Sequence, residues 1–424
     1  MDAPSARIEV LCAGTELLDG KANTHPAFIA RCLRAYGLRL SRETALPDDK
    51  YRLAAEMRAA LDRCEVLLVC GGLGPTFDDL TRQAAAAALG RDLVFRPALY
   101  SGIRKKFSRL RIKLPAENRR QAFVLRGARV LRNRNGSAPG QLLVRPGPHG
   151  RPQTLVLLPG PFNEMAPMLQ DQVLPHLRRT YAHGRHTASL VLHLCGLPES
   201  TADQRLKPVT SQAGPRLDFT ILTSAFGQVD LYAFARANSA RRAQDIISRV
   251  RRQALSRVGE NVFGEGEDTL QQAVGRLLIK RRLSLAAAES CTAGMFSARL
   301  VSAPGSSAYF RGGVLAYHND LKESLLGVAR ATLEKYGAVS AQCAREMAQG
   351  ARRCAGANLG LSITGIAGPA GGTRSKPAGL VFIALAGPKG ILEARELRTS
   401  GDREYIRQRA VTSALRLLWE HLRT

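Results

Sequence analysis

Long apolar segments are absent from this sequence. No stretch approaches the about 18 uninterrupted apolar residues that a membrane-spanning helix requires. The opening residues, MDAPSARIEV, lead directly into a strand-like pattern and lack the apolar core of a signal peptide. Internal repeats and low-complexity linkers are missing as well. We therefore expect a soluble, cytoplasmic protein without a membrane partner.

Paired cysteines are also lacking. The eight cysteines are scattered, with no CxxC pair and no His/Cys spacing of a zinc site. Several occur in apolar patterns, where a free cysteine behaves as a small hydrophobe. This distribution predicts a reducing compartment and no structural zinc. Cys291 differs, because it lies beside Ser290 at a predicted helix start, where thiol pKa values fall, and it is an alternative nucleophile.

Acidic residues are scarce. The chain has 62 Lys and Arg against 35 Asp and Glu, a formal charge of +27. Such a field attracts nucleic acid or phosphorylated small molecules. An Arg-rich and Ala-rich coding bias explains the excess slightly better, so nucleic acid is a less favoured partner. Glu117 is the single acid among twelve bases between 104 and 134: Arg104, Lys105, Lys106, Arg109, Arg111, Lys113, Arg119, Arg120, Arg126, Arg129, Arg132 and Arg134.

A chain of 424 residues predicts two or three domains. Within the first 180 residues, three apolar runs are each followed by a loop and a helical pattern: IEVLCAG, CEVLLVCGG and TLVLLPG. Such units build an α/β doubly wound sheet whose ligands bind beyond the carboxyl ends of the strands. The three loops are therefore expected to converge and to bring together Glu16, Asp78, Asp79, Thr81 and Glu164.

The second of these loops is rich in glycine. Gly71, Gly72 and Gly74 would let the backbone approach a phosphate. Nearby carboxylates would suit a divalent cation that bridges phosphates. Alternatively, the glycines form an ordinary turn and Asp78 or Asp79 caps the next helix.

Residues 181–262 have a different character. Their strand and helix patterns predict a small α+β unit, with helices near 200–213 and 239–256. The GxxG loop of a nucleic-acid-binding KH domain does not occur in this segment. A connector or dimer element is the favoured interpretation.

The stretch LSLAAAESCTAGMFSARLV, residues 283–301, predicts a strand, a tight turn and a helix whose first turn includes Ser290. Free backbone N–H groups at a helix start can hold an anion or an acyl-transfer oxyanion, and a hydroxyl there can act as a nucleophile. The alternative is that Ser290 is only the helix N-cap. A final amphipathic pattern over 404–424 predicts a core-facing helix.

Seven stretches in order make this segment resemble the C-terminal nicotinamide mononucleotide (NMN) deamidase domain of the CinA family: ESCTAG, GSS at 305–307, YHNDLK, GAVS, SITGIAGPAGG, KPAG and SGDR. The resemblance implies a metal-free serine–lysine mechanism, with Ser290 as the nucleophile and Lys322 as the base. Tyr317 and Thr364 would position groups or relay protons, although each residue alone has a structural explanation. The implied substrate contacts are Arg403, Gly365, Gly368, Gly371, Cys291, Thr292 and Ser306.

The first segment resembles the N-terminal domain of the same family, which has the molybdopterin-binding fold. The matching stretches are GTELLDGKANTH, GGLGPTFDDLTR, ENRRQAF, NRNGSAPG and LPGPFNE. The resemblance implies hydrolysis of the ADP-ribose pyrophosphate with a divalent metal such as Mg²⁺, held by Asp48, Asp79 and Glu164. The implied ligand contacts are Gly71, Gly72, Gly74, Thr76, Glu16 and Asn23.

Two departures from the family pattern stand out. The first loop is one residue shorter and has His25 where asparagine is usual, and Ala293 replaces a glycine of ESCTGG. We expect three domains: 1–180, molybdopterin-binding-like; 181–262, KH-like; and 267–424, deamidase-like. The expected function is NMN deamidation in pyridine nucleotide salvage, with ADP-ribose cleavage, in a homodimer. The alternatives are a competence-associated nucleic-acid-binding protein and a deamidase with a purely regulatory nucleotide-binding half.

Overall fold

The computed structural model describes residues 6–147, 150–182, 186–223 and 226–423. The chain packs as two compact units, one of residues 1–188 with 236–244 and one of residues 189–235 with 245–424. No helix within the described ranges is long and apolar enough to cross a membrane.

The first unit begins with eight strands. They are β1 (Ile8–Ala13), β2 (Leu40–Leu46), β3 (Val66–Cys70), β4 (Leu93–Phe95), β5 (Phe123–Leu125), β6 (Arg129–Leu131), β7 (Gly140–Pro146) and β8 (Pro152–Leu158). Its helices are α1 (Thr15–Leu18), α2 (His25–Ala35), α3 (Lys50–Arg63), α4 (Thr81–Leu89), α5 (Pro97–Arg109), α6 (Phe162–Met168) and α7 (Leu174–Tyr181). A π-helical turn, Leu169–Val173, joins α6 to α7, and a 3₁₀ turn covers Ala116–Ala122.

Six of these strands form one sheet in the order β2-β1-β3-β8-β7-β6. The first four run parallel, and β7 and β6 are antiparallel additions. Strands β1 and β3 are buried throughout, as parallel strands covered on both faces are. One face packs on α2, α6 and α7, and the other packs on α3 and α4. The predicted doubly wound sheet is confirmed, whereas the antiparallel edge and α5 had no sequence prediction.

The middle of the chain forms a four-stranded sheet in the order β10-β11-β9-β12. Its strands are β9 (His186–Cys195), β10 (Leu217–Thr223), β11 (Gln228–Ala237) and β12 (Val262–Glu265), and its helices are α8 (Glu199–Thr210) and α9 (Ala240–Val258). This arrangement confirms the predicted α+β unit. Beyond it, the tip of the β10–β11 hairpin contacts the C-terminal helix, because Phe226 O accepts a hydrogen bond from Arg409 Nη1 at 2.9 Å.

The last sheet has the order β14-β13-β15-β16-β17. Its strands are β13 (Leu285–Glu289), β14 (Phe310–Leu315), β15 (Leu359–Gly365), β16 (Leu380–Gly387) and β17 (Gly390–Arg398), of which the first three run parallel. Its helices are α10 (Leu270–Arg281), α11 (Met295–Val301), α12 (Asn319–Leu326), α13 (Arg330–Tyr336), α14 (Ala341–Cys354) and α15 (Arg403–His421).

Helices cover both faces of this sheet. Apolar residues of α10, α11 and α15 form one core with β13, β15 and β16, and α12 and α14 pack on the other face. The five apolar residues that define the predicted terminal helix are all buried in α15: Ile406, Ala410, Leu415, Leu418 and Trp419. The predicted core-facing terminal helix is therefore confirmed.

Candidate functional site

Ser290 lies just beyond the carboxyl end of β13, in a turn rather than in a helix. The turn is closed by hydrogen bonds from Ala293 N to Ser290 O at 3.1 Å and from Met295 N to Thr292 O at 3.1 Å. Ala293 has φ of 47° and Gly294 has φ of 90°, both left-handed. Because this backbone delays the helix, α11 begins only at Met295 and its N-cap is Gly294. The predictions that Ser290 lies in the first helical turn, or caps the helix, were wrong.

Glu289 explains why the start of α11 offers no anion site. Its carboxylate is completely buried and accepts hydrogen bonds from the backbone N–H groups of Gly294, Phe296 and Ser297 at 2.8–3.0 Å. Ser297 Oγ donates a fourth bond at 2.6 Å. These are the helix-start donors that the sequence pattern assigned to an oxyanion. They hold the Ser290 turn against the end of β13 instead.

Cys291 is a poor thiolate in this environment. The side chain is buried, and burial raises the pKa of the Cys291 thiol to about 12. Desolvation disfavours the charged form of a thiol, so the expectation of a lowered pKa was wrong. A thiol that stays protonated near neutral pH does not compete with Ser290 as the nucleophile.

Lys322 is buried, which is rare for a lysine without a carboxylate partner. It lies on α12 with 1 % of its surface exposed, and Nζ donates a hydrogen bond to Tyr317 O at 2.9 Å. Over the described ranges no carboxylate forms an ion pair with it. Burial lowers the pKa of Lys322 from its ordinary value. The alternative of a solvated helix lysine was therefore wrong.

Most of the predicted catalytic and substrate residues line one cavity of about 240 Å³. It lies at the carboxyl ends of the parallel strands β13 and β15, where ligands of such sheets bind. The predicted residues that line it are Ser290, Cys291, Tyr317, Lys322, Thr364, Gly365, Gly368, Gly371 and Arg403. The other lining residues are Ile366, Ala367 and Ala370 of the glycine-rich loop, together with Asn319, Ala338 and Val339, which lie outside every stretch assigned to the substrate.

Arg403 closes one side of this cavity. Its guanidinium donates to Gly368 O at 2.9 Å and to the Tyr317 hydroxyl at 3.4 Å. Thr364 is buried and lines the same cavity, and its hydroxyl donates to Ala338 O at 2.8 Å. Gly365 leaves no room for a side chain, since a Cβ there would lie 2.7 Å from Leu380 O.

Two predicted contacts do not reach the cavity. Thr292 is completely buried, and its carbonyl accepts a bond from Arg407 Nη2 at 2.9 Å. Ser306 begins a 3₁₀ turn, Ser306–Ala308, that precedes β14. Because β13 and β14 run parallel, that turn lies at their amino ends, opposite the edge that holds Ser290.

The predicted residues of the first unit collect at the carboxyl edge of its sheet. Asp48 follows β2, and its Oδ2 accepts from Thr15 N at 2.9 Å and from Thr15 Oγ1 at 3.3 Å. Asp48 thereby fastens the end of β2 to the loop after β1. Glu16 is exposed and pairs with Lys21 at 3.3 Å, with both side chains more than half exposed.

Asp79 shapes the glycine loop that follows β3. Its Oδ1 accepts from Gly74 N at 2.7 Å, and its Oδ2 accepts from Thr76 N at 2.8 Å and from the Thr76 hydroxyl. The cap of α4 is Leu80 and receives no side-chain bond, so the alternative of an aspartate helix cap was wrong. A Cβ on Gly74 would lie 2.4 Å from Asp79 Oδ2.

Gly71 and Gly72 fit this loop for related reasons. Both have left-handed backbones, with φ of 101° and 65°. A Cβ on Gly71 would lie 2.2 Å from Ala13 O, and one on Gly72 would lie 2.3 Å from Thr81 Oγ1. The two glycines therefore hold the loop close to β1 and to the start of α4.

The remaining predicted contacts complete this edge. Asn23 Oδ1 accepts from His25 N at 3.4 Å, which places Asn23 at the start of α2. His25 Nε2 lies 2.7 Å from Gly160 O in the loop after β8. His25 therefore connects the first loop to the last.

Glu164 on α6 accepts from Asn133 Nδ2 at 2.6 Å. Within the described ranges, no group of three or more His, Cys, Asp or Glu side chains is arranged to hold a metal ion. Mg²⁺, however, usually binds through one or two carboxylates together with substrate phosphates and water. The donor set fits such shared coordination, but it does not fit an all-protein metal cage.

These two sheets, each with loops gathered at its carboxyl edge, define a multidomain α/β protein with two separate loop-lined sites. Comparison with known families agrees. Residues 9–179 match the MoCF_biosynth family of molybdopterin binding domains, residues 189–264 match the damage-inducible protein CinA KH domain, and residues 267–422 match the CinA C-terminal domain. The chain belongs to the CinA family, and its three-domain architecture is the predicted one.

Full-length relatives support this assignment. CinA-like proteins of Dictyoglomus thermophilum and Dictyoglomus turgidum are each 40% identical over 415 residues, which is 97% of this chain and 98% of theirs. Among solved structures, the competence/damage inducible protein CihA of Agrobacterium tumefaciens is 38% identical and covers 37% of this chain and 98% of its own, with a TM-score of 0.35.

Proposed function

We propose that the C-terminal domain hydrolyses the carboxamide of NMN to nicotinate mononucleotide and ammonia. The observation that supports this most strongly is Lys322. It is buried, has a lowered pKa and lines the same cavity as Ser290. A lysine acts as a general base only when it is neutral near the working pH, and burial without a carboxylate partner favours the neutral form.

The proposed reaction has two stages. Neutral Lys322 takes the proton of the Ser290 hydroxyl while Oγ bonds to the carboxamide carbon. Collapse of the tetrahedral intermediate breaks the C–N bond, and the ammonium form of Lys322 returns the proton to the departing NH₂ group, which leaves as ammonia. Water then attacks the Ser290 ester with the same lysine as base, which releases the carboxylate product and restores the hydroxyl.

The substrate phosphate is assigned to the opposite side of the cavity. Among the described residues that line the cavity, Arg403 is the one basic side chain besides Lys322, and its guanidinium already lies against the glycine-rich loop at Gly368. A planar guanidinium binds phosphate in a bidentate manner. Tyr317 accepts from Arg403 at 3.4 Å and its carbonyl holds Lys322 at 2.9 Å, so we expect it to couple phosphate binding to base position.

The test is ammonia release from NMN by the full chain. Ser290→Ala and Lys322→Ala should each lower kcat by at least about 1,000-fold, as removal of a nucleophile or its base does. Lys335→Ala removes an exposed lysine of α13 and should leave the rate unchanged. Cys291→Ala should retain activity. An inactive wild type, or an active Ser290→Ala, would overturn the proposal.

We further propose that the N-terminal domain binds ADP-ribose and cleaves its pyrophosphate with a divalent metal such as Mg²⁺. The supporting observation is the meeting of the Gly71–Asp79 loop, Asp48 and Glu164 at one sheet edge. Asp48, Asp79 or Glu164 would contribute one or two carboxylate ligands beside the substrate phosphates, and the metal would neutralise charge on those phosphates. The chain itself supplies the glycine loop that lets backbone approach the diphosphate.

This second activity is tested by AMP formation from ADP-ribose with and without Mg²⁺. Asp48→Asn should reduce turnover while circular dichroism stays unchanged. Tight ADP-ribose binding without cleavage would favour the regulatory alternative instead. Oligonucleotide binding that weakens steeply with salt, in a protein without either activity, would favour the nucleic-acid alternative.

We also propose a homodimer. Sedimentation equilibrium of the full chain at several concentrations tests it, and a mass that stays at one chain throughout would exclude the dimer.

A further inference from the structure

A second cavity of the first unit adjoins the carboxyl-edge site, because Asn133, which lines it, donates to Glu164 at 2.6 Å. It has a volume of about 500 Å³, within the range of about 300–1,000 Å³ typical of small-molecule sites. Helix α5 forms one wall and segment 130–139 forms the other. We call it the α5 cavity, and its lining residues on these two segments include Lys105, Lys106, Arg109, Arg132 and Arg134.

The charge of the α5 cavity is uncompensated. Its fourteen lining residues include these five bases and no Asp or Glu. Arg134 pairs with Asp171 at 3.4 Å, whereas Lys105, Arg109 and Arg132 form no ion pair within the described ranges. Bases gathered in a concave surface raise the local concentration of anions. A coding bias toward arginine does not explain why the acids avoid this particular cavity.

The walls of the α5 cavity are held together before any ligand binds. Lys106 Nζ donates to Gly136 O at 2.7 Å and to Arg134 O at 3.0 Å, which ties α5 to the facing loop. Asn133 Oδ1 accepts from Gly136 N at 2.7 Å, and Asn133 Nδ2 donates to Ala138 O at 2.8 Å. A loop braced in this way loses little conformational freedom on binding.

Asn133 and Ser137 are uncharged polar lining residues, and an apolar part of the wall comes from Ala98, Leu99, Ile103, Val130 and Pro139. An inorganic anion would leave this surface unused, whereas a ligand with several phosphates and a sugar or base would cover it. An extended polynucleotide needs an open track of phosphate contacts, and a cavity between one helix and one loop offers no such track. A mononucleotide matches the volume, the charge and the apolar wall together.

We propose that the α5 cavity is a binding site for a nucleoside di- or triphosphate, next to the carboxyl-edge site but formed by residues that are not assigned to either proposed reaction. The phosphates contact Lys105, Arg109 and Arg132, and the nucleoside lies on the wall formed by Leu99 and Ile103. None of the residues assigned to the carboxyl-edge site, which are Glu16, Asn23, Asp48, Gly71, Gly72, Gly74, Thr76, Asp79 and Glu164, lines it.

The test uses ADP as the probe, titrated calorimetrically into the full chain at about 150 mM salt, where nonspecific charge attraction is screened. Lys105→Glu/Arg109→Glu should weaken binding to this site at least tenfold. Arg104→Glu is the matched control, because Arg104 is exposed on the same helix but does not line the cavity. It should change the affinity less than twofold.

A variant that fills the cavity distinguishes a defined ADP site from general attraction of ADP to positive charge. Gly102 lines the cavity, and a Cβ placed on it meets no atom within 4 Å. Gly102→Phe therefore fills the cavity while keeping every charge, and it should remove one ADP site per chain. NMN deamidation and ADP-ribose cleavage should stay at wild-type rates.

Three results would overturn the proposal. Unchanged ADP stoichiometry in Gly102→Phe would show that ADP binds elsewhere. Loss of ADP-ribose cleavage in that variant, with its fold intact, would make the cavity part of the pyrophosphatase site. Equal weakening by Arg104→Glu and by the double variant, with tighter binding of a 20-nucleotide single strand than of ADP, would indicate a nucleic-acid surface.

Discussion

Replacement of Glu289 by glutamine tests how the Ser290 turn is held. The carboxylate accepts four hydrogen bonds, two through each oxygen: Oε2 from the N–H groups of Gly294 and Phe296, and Oε1 from N–H and Oγ of Ser297. A glutamine keeps one acceptor oxygen and presents an NH₂ group where the other oxygen was. Turned toward Gly294 and Phe296, the NH₂ group faces two N–H donors. Turned toward Ser297, it faces one N–H donor and a hydroxyl that can rotate to accept.

The magnitude follows from the hydrogen bonds that are lost or weakened. A hydrogen bond to a charged group contributes about 1.5–3 kcal/mol. The lost bond, together with the weakening of the other bonds when the acceptor becomes neutral, destabilises the turn by about 3 kcal/mol. A local change of about 3 kcal/mol speeds amide exchange by roughly 100-fold, at about 1.4 kcal/mol per tenfold. We expect this faster exchange at the amides of Gly294, Phe296 and Ser297. Because the same turn positions Ser290, the kcat for NMN should also fall in Glu289→Gln, whereas the KM for NMN should change little.

The assay is native-state hydrogen exchange on the full chain, with NMN kinetics in parallel. Glu334→Gln is the control, since Glu334 forms an exposed pair with Arg330 on α13 and such pairs contribute at most about 1 kcal/mol. Wild-type exchange and wild-type kcat in Glu289→Gln would refute the idea that this carboxylate fastens the turn.

Three further predictions concern the same cavity. Ala293→Gly should stabilise the C-terminal domain by about 1 kcal/mol in thermal unfolding, because a left-handed alanine costs about 1–2 kcal/mol and glycine returns part of that as chain entropy; a lower melting temperature would contradict this. Burial lowers the pKa of Lys322, so the unfolded chain binds its proton more tightly and the folded protein gains stability as pH rises through the window between the lowered and ordinary pKa values. Lys322→Met should lose this pH dependence and all deamidase activity, and should be more stable than wild type at pH 7 by chemical denaturation. Burial also raises the pKa of Cys291 to about 12, so iodoacetamide at pH 8 should label the exposed Cys354 first. The deamidase activity should be kept after this labelling. Mass spectrometry that shows early labelling of Cys291 would contradict this prediction.

Much of the fold could be predicted from the sequence, because buried parallel strands are continuous apolar runs and their loops contain glycine. The antiparallel edge β7–β6 and helix α5 were not predicted, since their short or strongly basic segments have no simple apolar period. The three domains were recognised from motifs that the family comparison confirms.

The site was less predictable in its details. Glu289 ends an apolar run and reads as the polar boundary of a strand, yet it lies wholly inside the protein as the acceptor for α11. Lys322 belongs to an amphipathic helix in sequence, and only the packing of α12 on α14 reveals that the lysine is enclosed. Tertiary packing determines the burial of both Glu289 and Lys322, and the local spacing of residues in the sequence does not reveal it.

The contact between Phe226 and Arg409 has a mechanical consequence. The same hairpin tip also receives the guanidinium of Arg299 from α11, 5.9 Å from the Phe226 ring. Helix α15 begins at Arg403 and contains Arg409 less than two turns later. The middle domain therefore contacts, through one hairpin, both the helix that follows the Ser290 turn and the helix that begins with Arg403. A displacement of this hairpin would therefore act at the same time on the two elements that position Ser290 and Arg403, both of which line the cavity.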